Sequence, residues 1–497
     1  MAPLNRAAPP TGWHWAAATS AVLFLLRWHL GRTVGFGDAE ALYVCYSLHP
    51  APAYLDHPGL IGALGRVVFA DGSLTPLAAH QFTAVAATLV PWIGVAAARG
   101  AGGTRESTLR TFYGLALAPE LAIGLFAFTP DLPLASSWLG ALGFAAMALG
   151  STPGSRRALV GCAGAGALAG VAILSKASGA LLLAALVAGF STRAARPHLR
   201  SLAPWFGLVV ALLLAAPLVR FEHAHGYPLL VHRFSRTQAA AGFSLRNVGA
   251  LVGGQLVYVT PPFLVAAYFV LRELARRTSA VDRFLFLATV VPGVPLAVLC
   301  LWSKVAEPHW LAPAYLALAI GASRIDLPSP RLDVACAITG MALVLFVWVW
   351  VSTPLAPRYL GHLYVPRYDL ANDLYAWRAA LPTLDDEVDR AIAEGKNPVI
   401  VGPHWTVCAQ VHAGLGPALP VGCLTPIGDD FATWYPERDW AGKSTIVFVT
   451  DDRFDGGKVH SFPGRTLVSS RSVRVYRGGR PVRVFHIARL DRDAPAP

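Results

Sequence analysis

Long apolar runs separated by short polar ones fill residues 13–352 and then stop. A helix crosses a bilayer with about 20 mostly apolar residues. By that measure the pattern predicts about eleven spans, at 13–30, 76–98, 111–128, 132–150, 158–174, 178–191, 201–219, 248–271, 284–301, 309–323 and 333–352. Glycine and alanine recur in them, which suits helices that pack closely in lipid. The first run has no convincing cleavage site after it and reads as a retained span. Its one charge, Arg27, is expected to reach out to the interface. A long polar loop follows, roughly 31–75. In it Leu60, Ile61, Leu64, Val67 and Val68 recur at helical spacing behind Pro58, which predicts an amphipathic interfacial helix.

After Ser352 the period changes. Residues 398–402, 444–450, 472–477 and 483–490 read as strands, with a helix at 385–395 before the first. The expected fold class is therefore a polytopic α-helical membrane protein with a C-terminal soluble mixed α/β domain. The expected divisions are 1–355, a connector at 356–382, and 383–497.

Composition agrees. Of 497 residues 55% are hydrophobic and 14% charged, against about 25% charged in a soluble domain. The net charge of +12 points to membrane loops and membrane lipids rather than nucleic acid, since no basic tract interleaved with aromatics stands out. With the N-terminus inside, the inner loops hold most of the arginines, among them Arg99, Arg105, Arg110, Arg272, Arg276, Arg277 and Arg283. The positive-inside rule favours that orientation. It places Asp38, Glu40, Asp56, Asp131, Glu222 and Glu307 together on the outer side.

Those acids are the candidate chemistry. Asp38, Glu40 and Asp56 crowd into one loop at the bilayer edge, in a chain with 29 acids against 41 Lys and Arg. Partial desolvation there makes a carboxylate a better base, and sugar transfer to a hydroxyl needs one. The alternative is that Asp38 and Glu40 only complement the start of a helix. Asp131, between Pro130 and Pro133, is either a cap or an acid that holds an acceptor or a divalent metal ion. Lys176 stands in LSKASG at the mouth between two apolar runs, where an idle charge is costly. The other outer cations, Arg220, Arg233, Arg236, Arg246 and Lys304, suit a phosphate or simply lipid headgroups. Glu222, His223, His225 and His232 form a loose candidate metal set. Trp302, Trp310, Trp348 and Trp350 read as interfacial belt residues. Cys408 and Cys423 could pair if their region is outside the cytosol. No GxSxG, HExxH or Walker motif occurs, so hydrolase and nucleotide-driven pump readings lack their parts.

Several stretches, taken in order, resemble a known family. They are GDAEALYVCYS followed by YLDHPGL, then FTPDLPLASSW, GVAILSKASGALLL, EPHWLAPAYLAL and RYDLANDLYAW. From about Asp38 to the tail the chain resembles the polyprenyl-phosphate-dependent GT-C glycosyltransferases, the bacterial protein mannosyltransferase-like and 4-amino-4-deoxy-L-arabinose lipid A transferase-like group. The resemblance implies a GT-C catalytic domain over 1–355 and a polyprenyl-monophosphate sugar donor. It also implies a first-loop acid acting as base in one inverting displacement. Glu40 matches the Glu of the family's acidic pair, whose preceding Asp falls on Ala39, with Asp38 displaced by one. Gly59 stands where the family has a second Pro. The catalytic candidates are thus Asp38, Glu40 and Asp131. The substrate-binding candidates are Tyr43, Tyr54, Asp56, His57, Lys176, Arg236, Lys304, Glu307 and His309.

The expected function is transfer of a sugar to lipid A, an envelope glycan or a protein on the periplasmic face of a bacterial inner membrane. A lipid-linked sugar flippase would use the same cations and spans, but would not need acids clustered on one face. A non-catalytic docking partner is a third alternative.

Overall fold

Helices account for most of the described residues up to Ser352 in the computed structural model, which describes residues 12–303, 307–425 and 427–493. Helix α1 (Gly12–Gly31) leads into the first long loop, which carries α2 (Asp38–Cys45) and α3 (Leu60–Val68). Then follow α4 (Pro76–Gly100), α5 (Thr108–Leu117), α6 (Pro119–Gly124), α7 (Asp131–Leu149), α8 (Arg156–Ser175), α9 (Gly179–Phe190), the short α10 (Arg196–Leu199) and α11 (Ala203–Ala224). The second long loop holds α12 (Pro228–Val231) and a π-helical turn, His232–Arg236. The membrane half closes with α13 (Leu245–Tyr258), α14 (Pro261–Arg276), α15 (Ala280–Trp302), α16 (Ala312–Gly321) and α17 (Pro330–Ser352).

Six of these helices, α4, α7, α8, α11, α15 and α17, are long and apolar enough to cross a membrane. The pair α13 and α14, bent by 97°, makes a seventh if it counts as one span. Two predicted spans are broken, both at prolines. The 111–128 run splits at Ala118, whose ψ of 118° is the extended geometry that a following Pro119 favours. The 248–271 run turns sharply at Thr260, before Pro261 and Pro262. Arg27 corrects another expectation. It does not reach out to the interface but is 2% exposed, donating from Nη2 to the Ala122 carbonyl at 2.8 Å and from Nη1 to Thr88 Oγ1 at 3.2 Å. The short, broken α6 leaves that carbonyl free to accept. Small residues let the spans touch backbone to backbone: a Cβ on Gly166 of α8 would fall 1.9 Å from the Gly207 carbonyl of α11.

The amphipathic helix is present as α3, with Ile61, Gly62 and Gly65 buried and Val67 exposed. Beyond α17 come α18 (Leu355–Tyr359), α19 (Asp373–Ala393), β1 (Pro398–Gly402), α20 (Trp405–Leu415), β2 (Val421–Cys423), α21 (Asp430–Trp434), α22 (Glu437–Trp440), β3 (Thr445–Asp451), β4 (Arg465–Arg477) and β5 (Arg480–Arg492). They build a five-stranded sheet in the order β2-β1-β3-β5-β4. Strands β2, β1 and β3 run parallel, while β5 is antiparallel to β3 and β4. Gly478 and Gly479, at φ 59° and 81°, form the two-residue turn between β4 and β5. Helix α19 starts earlier than the expected 385, so it covers part of the stretch read as a connector.

The first long loop and this sheet domain share one hydrophobic core. Phe36, Ala41, Val44, Cys45 and Tyr46 pack with Trp377, Val407, Cys408, Val411 and Phe431.

Candidate active site

The loop after α2 doubles back on itself. Tyr54 N–H donates to the His57 carbonyl and Gly59 N–H to the Pro52 carbonyl, both at 2.8 Å. A Cβ on Gly59 would lie 2.1 Å from the Ala51 carbonyl, so only glycine fits this return. Tyr54 pins the hairpin from behind: its ring stacks on Tyr46 at 3.6 Å and its hydroxyl lies 2.8 Å from the Tyr46 carbonyl. Asp56 is thereby held near the tip with its side chain 29% exposed. Next to it, His57 Nε2 lies 3.0 Å from the Tyr43 hydroxyl. Burial, then the Arg233 and Lys176 charges, hold the His57 imidazole well below its ordinary value. Burial and the nearby acids, Asp56 first, push the Tyr43 phenol up. A protonated phenol therefore donates to a neutral imidazole.

Two cations meet these groups. The π-turn after α12 directs Arg233 at Asp56: Nη1 is 3.5 Å from Oδ1, and Nε donates to the Asp56 carbonyl at 3.2 Å. His232 Nε2 stands 3.7 Å from the same carboxylate. Lys176 caps the C-terminus of α8, and Asp131 opens α7. Each charge complements its own helix dipole, and the two pair at 2.7 Å. Trp310 joins the halves, with Lys176 Nζ 5.8 Å and Arg233 Cζ 5.6 Å from its ring centroid. Its ring is a platform for the two cations. Glu307 Oε2 and His309 Nδ1 are 3.2 Å apart. The His309 hydrogen bond, ahead of the opposing burial, holds the Glu307 carboxyl below its usual range, and the Lys176 charge adds to this.

Thus Tyr43, Asp56, His57, Asp131, Lys176, Glu307 and His309 gather at one mouth between α7, α8 and the loops. Tyr54 supports the hairpin from outside the cluster. Arg236 is exposed at the rim, and Lys304 lies outside the described residues. The other two acids of the first loop are engaged elsewhere. Glu40, 3% exposed, accepts from Phe128 N–H at 2.7 Å and Gly37 N–H at 3.1 Å, with His80 Nε2 at 3.2 Å. Asp38 accepts from Arg453 Nη1 at 2.6 Å and Gln410 Nε2 at 3.3 Å, both in the C-terminal domain.

Sequence reasoning named Arg233 as one of several cations suited to a phosphate, His232 in the loose metal set and Trp310 as a belt residue, but did not bring them together beside Asp56. The HRFSR run held a signal, a histidine and two arginines beside an aromatic, but nothing to say which side chain turned inward. The loose metal set does not assemble. Glu222 accepts from the N–H groups of Leu229 and Leu230 (both 3.3 Å), His223 meets Tyr227 and His225 meets the Phe221 carbonyl. Among the described residues no three His, Cys, Asp or Glu side chains are grouped to hold a metal ion. Cys408 and Cys423 are both free thiols. Burial and a hydrogen bond with Cys423 push the Cys408 thiol well up.

Comparison with known proteins bears on this arrangement. Residues 57–221 match the family of dolichyl-phosphate-mannose-protein mannosyltransferases. No curated protein sequence matches the chain. Among solved structures, ArnT from Cupriavidus metallidurans bound to undecaprenyl phosphate is similar with a TM-score of 0.60 at 16% identity, over 97% of this chain and 98% of that one. The Archaeoglobus fulgidus oligosaccharyltransferase in complex with Zn and sulfate is similar at 0.52 and 13% identity, over 86% and 67%. The arabinofuranosyltransferase AftD from Mycobacteria is similar at 0.51 and 18% identity, over 100% and 41%. The chain thus shares the fold of these transferase structures over nearly its whole length, and its residues 57–221 match the mannosyltransferase family model.

Proposed function

We propose that this multi-pass membrane protein transfers a sugar from a polyprenyl-phosphate carrier to an acceptor hydroxyl on the outer side of the membrane. That side is the periplasmic face of a bacterial inner membrane, and the acceptor is lipid A, an envelope glycan or a protein. Reading α1, the α5–α6 pair, α9 and α16 as crossings beside the seven candidate spans makes about eleven, a count that supports a C-terminal domain on the side of the cluster.

The observation that carries the reading is the meeting of Asp56, Asp131, Lys176 and Arg233 around Trp310. Lys176 and Arg233 are placed to neutralise a phosphate. Asp56 and Asp131, at 29% and 34% side-chain exposure, remain open to a ligand. In the proposed step the Asp56 carboxylate takes the acceptor proton and the acceptor oxygen attacks the anomeric carbon. The bond to the phosphate oxygen then breaks, and polyprenyl phosphate leaves against the two cations. Asp131 holds Lys176 in place. This moves the role of base from Asp38 or Glu40 to the third acid of the same loop.

The test is release of free polyprenyl phosphate by purified protein fed polyprenyl-phosphate sugars and envelope acceptors. Asp56→Asn and Lys176→Met should each lower turnover by about a hundredfold or more. If wild type moves lipid-linked sugar across liposomes without releasing the carrier, the flippase reading replaces this one.

A further inference from the structure

The hairpin that carries Asp56 is held from two sides, and one side belongs to the C-terminal domain. Asp430, in the first turn of α21, is 6% exposed. Its Oδ1 accepts from Leu55 N–H at 2.9 Å and its Oδ2 from the Tyr46 hydroxyl at 2.9 Å. Leu55 immediately precedes Asp56, so this buried carboxyl fixes the peptide from which the Asp56 side chain springs. Aromatic packing keeps α21 in place: Trp434 stacks on His49 at 4.0 Å and meets Tyr46 edge-on at 5.9 Å. The hairpin's own hydrogen bonds set its shape. The contact from Asp430 fixes where that shape sits relative to Arg233, on the opposite wall.

We propose that Asp430 is a positioning residue for the transfer reaction, holding the Leu55–Asp56 peptide so that the Asp56 carboxylate faces Arg233 and the reacting centre. The C-terminal domain is then a part of the active site that touches no substrate through this residue. The inference rests on the reading of Asp56 as the base. Misplacing a reacting group by about 1 Å costs up to about a hundredfold in rate. A loosened peptide should therefore lower kcat while KM, set by the cations and the spans, stays nearly constant.

The experiment uses the full-length protein and measures kcat and KM for polyprenyl-phosphate release in wild type, Asp56→Asn, Asp56→Glu, Asp430→Asn and the Asp56→Glu/Asp430→Asn double variant. Asp430→Asn should lower kcat about tenfold with KM within about twofold. In the Asp56→Glu background, where the carboxylate is already displaced, the same change should cost less than about twofold, because the two act through one geometry. An unchanged kcat in Asp430→Asn overturns the proposal. So does an equal loss in both backgrounds, which is what general destabilisation gives. Full activity in Asp56→Asn overturns the reading of the base and this inference with it. Loss of activity in Asp56→Asn beside an unaffected Asp430→Asn overturns only the inference. Should Asp430→Asn fail to fold, Tyr46→Phe removes only the hydroxyl that orients the Asp430 carboxyl. It should lower kcat about threefold, and an unchanged kcat overturns the proposal.

Discussion

Asp38 and Glu40 open the same helix yet serve different neighbours. Glu40 turns into the membrane half, where it closes the start of α2 and holds the Phe128 backbone. Removing its charge should weaken the fold rather than the chemistry. Glu40→Gln keeps one acceptor oxygen but leaves a buried donor poorly paired, at a cost of about 1–3 kcal/mol. Thermal unfolding in detergent should show the loss, with kcat of the folded fraction near wild type. A full-strength fold with no turnover would return Glu40 to the role of base. Asp430 offers a second residue-scale test, through pH. Burial first, with the Asp56 and Asp429 charges, pushes its carboxyl up to about 7, against the hydrogen bonds from Leu55 N–H and the Tyr46 hydroxyl. A carboxyl raised in the folded state stabilises most when protonated. Its contribution is therefore whole below 3.8, falls as pH rises to about 7 and is flat above. The stability difference between wild type and Asp430→Asn should shrink by about 1 kcal/mol per pH unit across that window. Parallel pH curves for the two proteins would contradict this.

At the scale of elements, the sequence was most legible where one period ran unopposed. Long apolar runs marked α4, α7, α8, α11, α15 and α17, and alternation or short apolar runs marked β1, β3 and parts of β4 and β5. The misses share a cause: local chemistry overrode the pattern. Pro119 and the Pro261–Pro262 pair broke runs whose hydropathy alone read as continuous. Strand β2, three residues long, is too short to show a period. The Asp56 hairpin is set by close approach instead of periodicity, with the Gly59 Cα against the Ala51 and Pro52 backbone. Gly59→Ala should therefore cost about 1–3 kcal/mol and displace Asp56. A drop in kcat out of proportion to the loss of melting temperature, read on the same preparation, is the expected sign. A variant with wild-type kcat would show that the hairpin tolerates the added carbon.

At the scale of the whole molecule, the feature least visible in the sequence is the joint between the two halves. Asp38 and Arg453 stand 415 residues apart. No periodicity links them, and an acid before a helix reads equally well as a dipole partner or a catalyst. In the fold they form the centre of a knot. Arg453 reaches Asp38 at 2.6 Å, Asp451 at 2.8 Å and Asp373 at 3.3 Å, and Arg483 binds Asp373 from the other side. Three carboxylates around one guanidinium, largely out of water, make that arginine costly to lose. Breaking such a buried set from one side costs about 3–5 kcal/mol. Asp38→Asn and Arg453→Met should each loosen the docking of the sheet domain on the first loop, seen as faster hydrogen exchange in α2 and α20. Their effects should be non-additive, with a coupling of about 0.5–3 kcal/mol. A base at Asp38 predicts a different pattern. Asp38→Asn would then abolish turnover with exchange unchanged, and Arg453→Met would slow turnover only as far as it loosened the domain. Comparing protection and turnover in the two variants and their double therefore decides whether the acid that opens α2 serves the reaction directly or serves it by holding the two halves together.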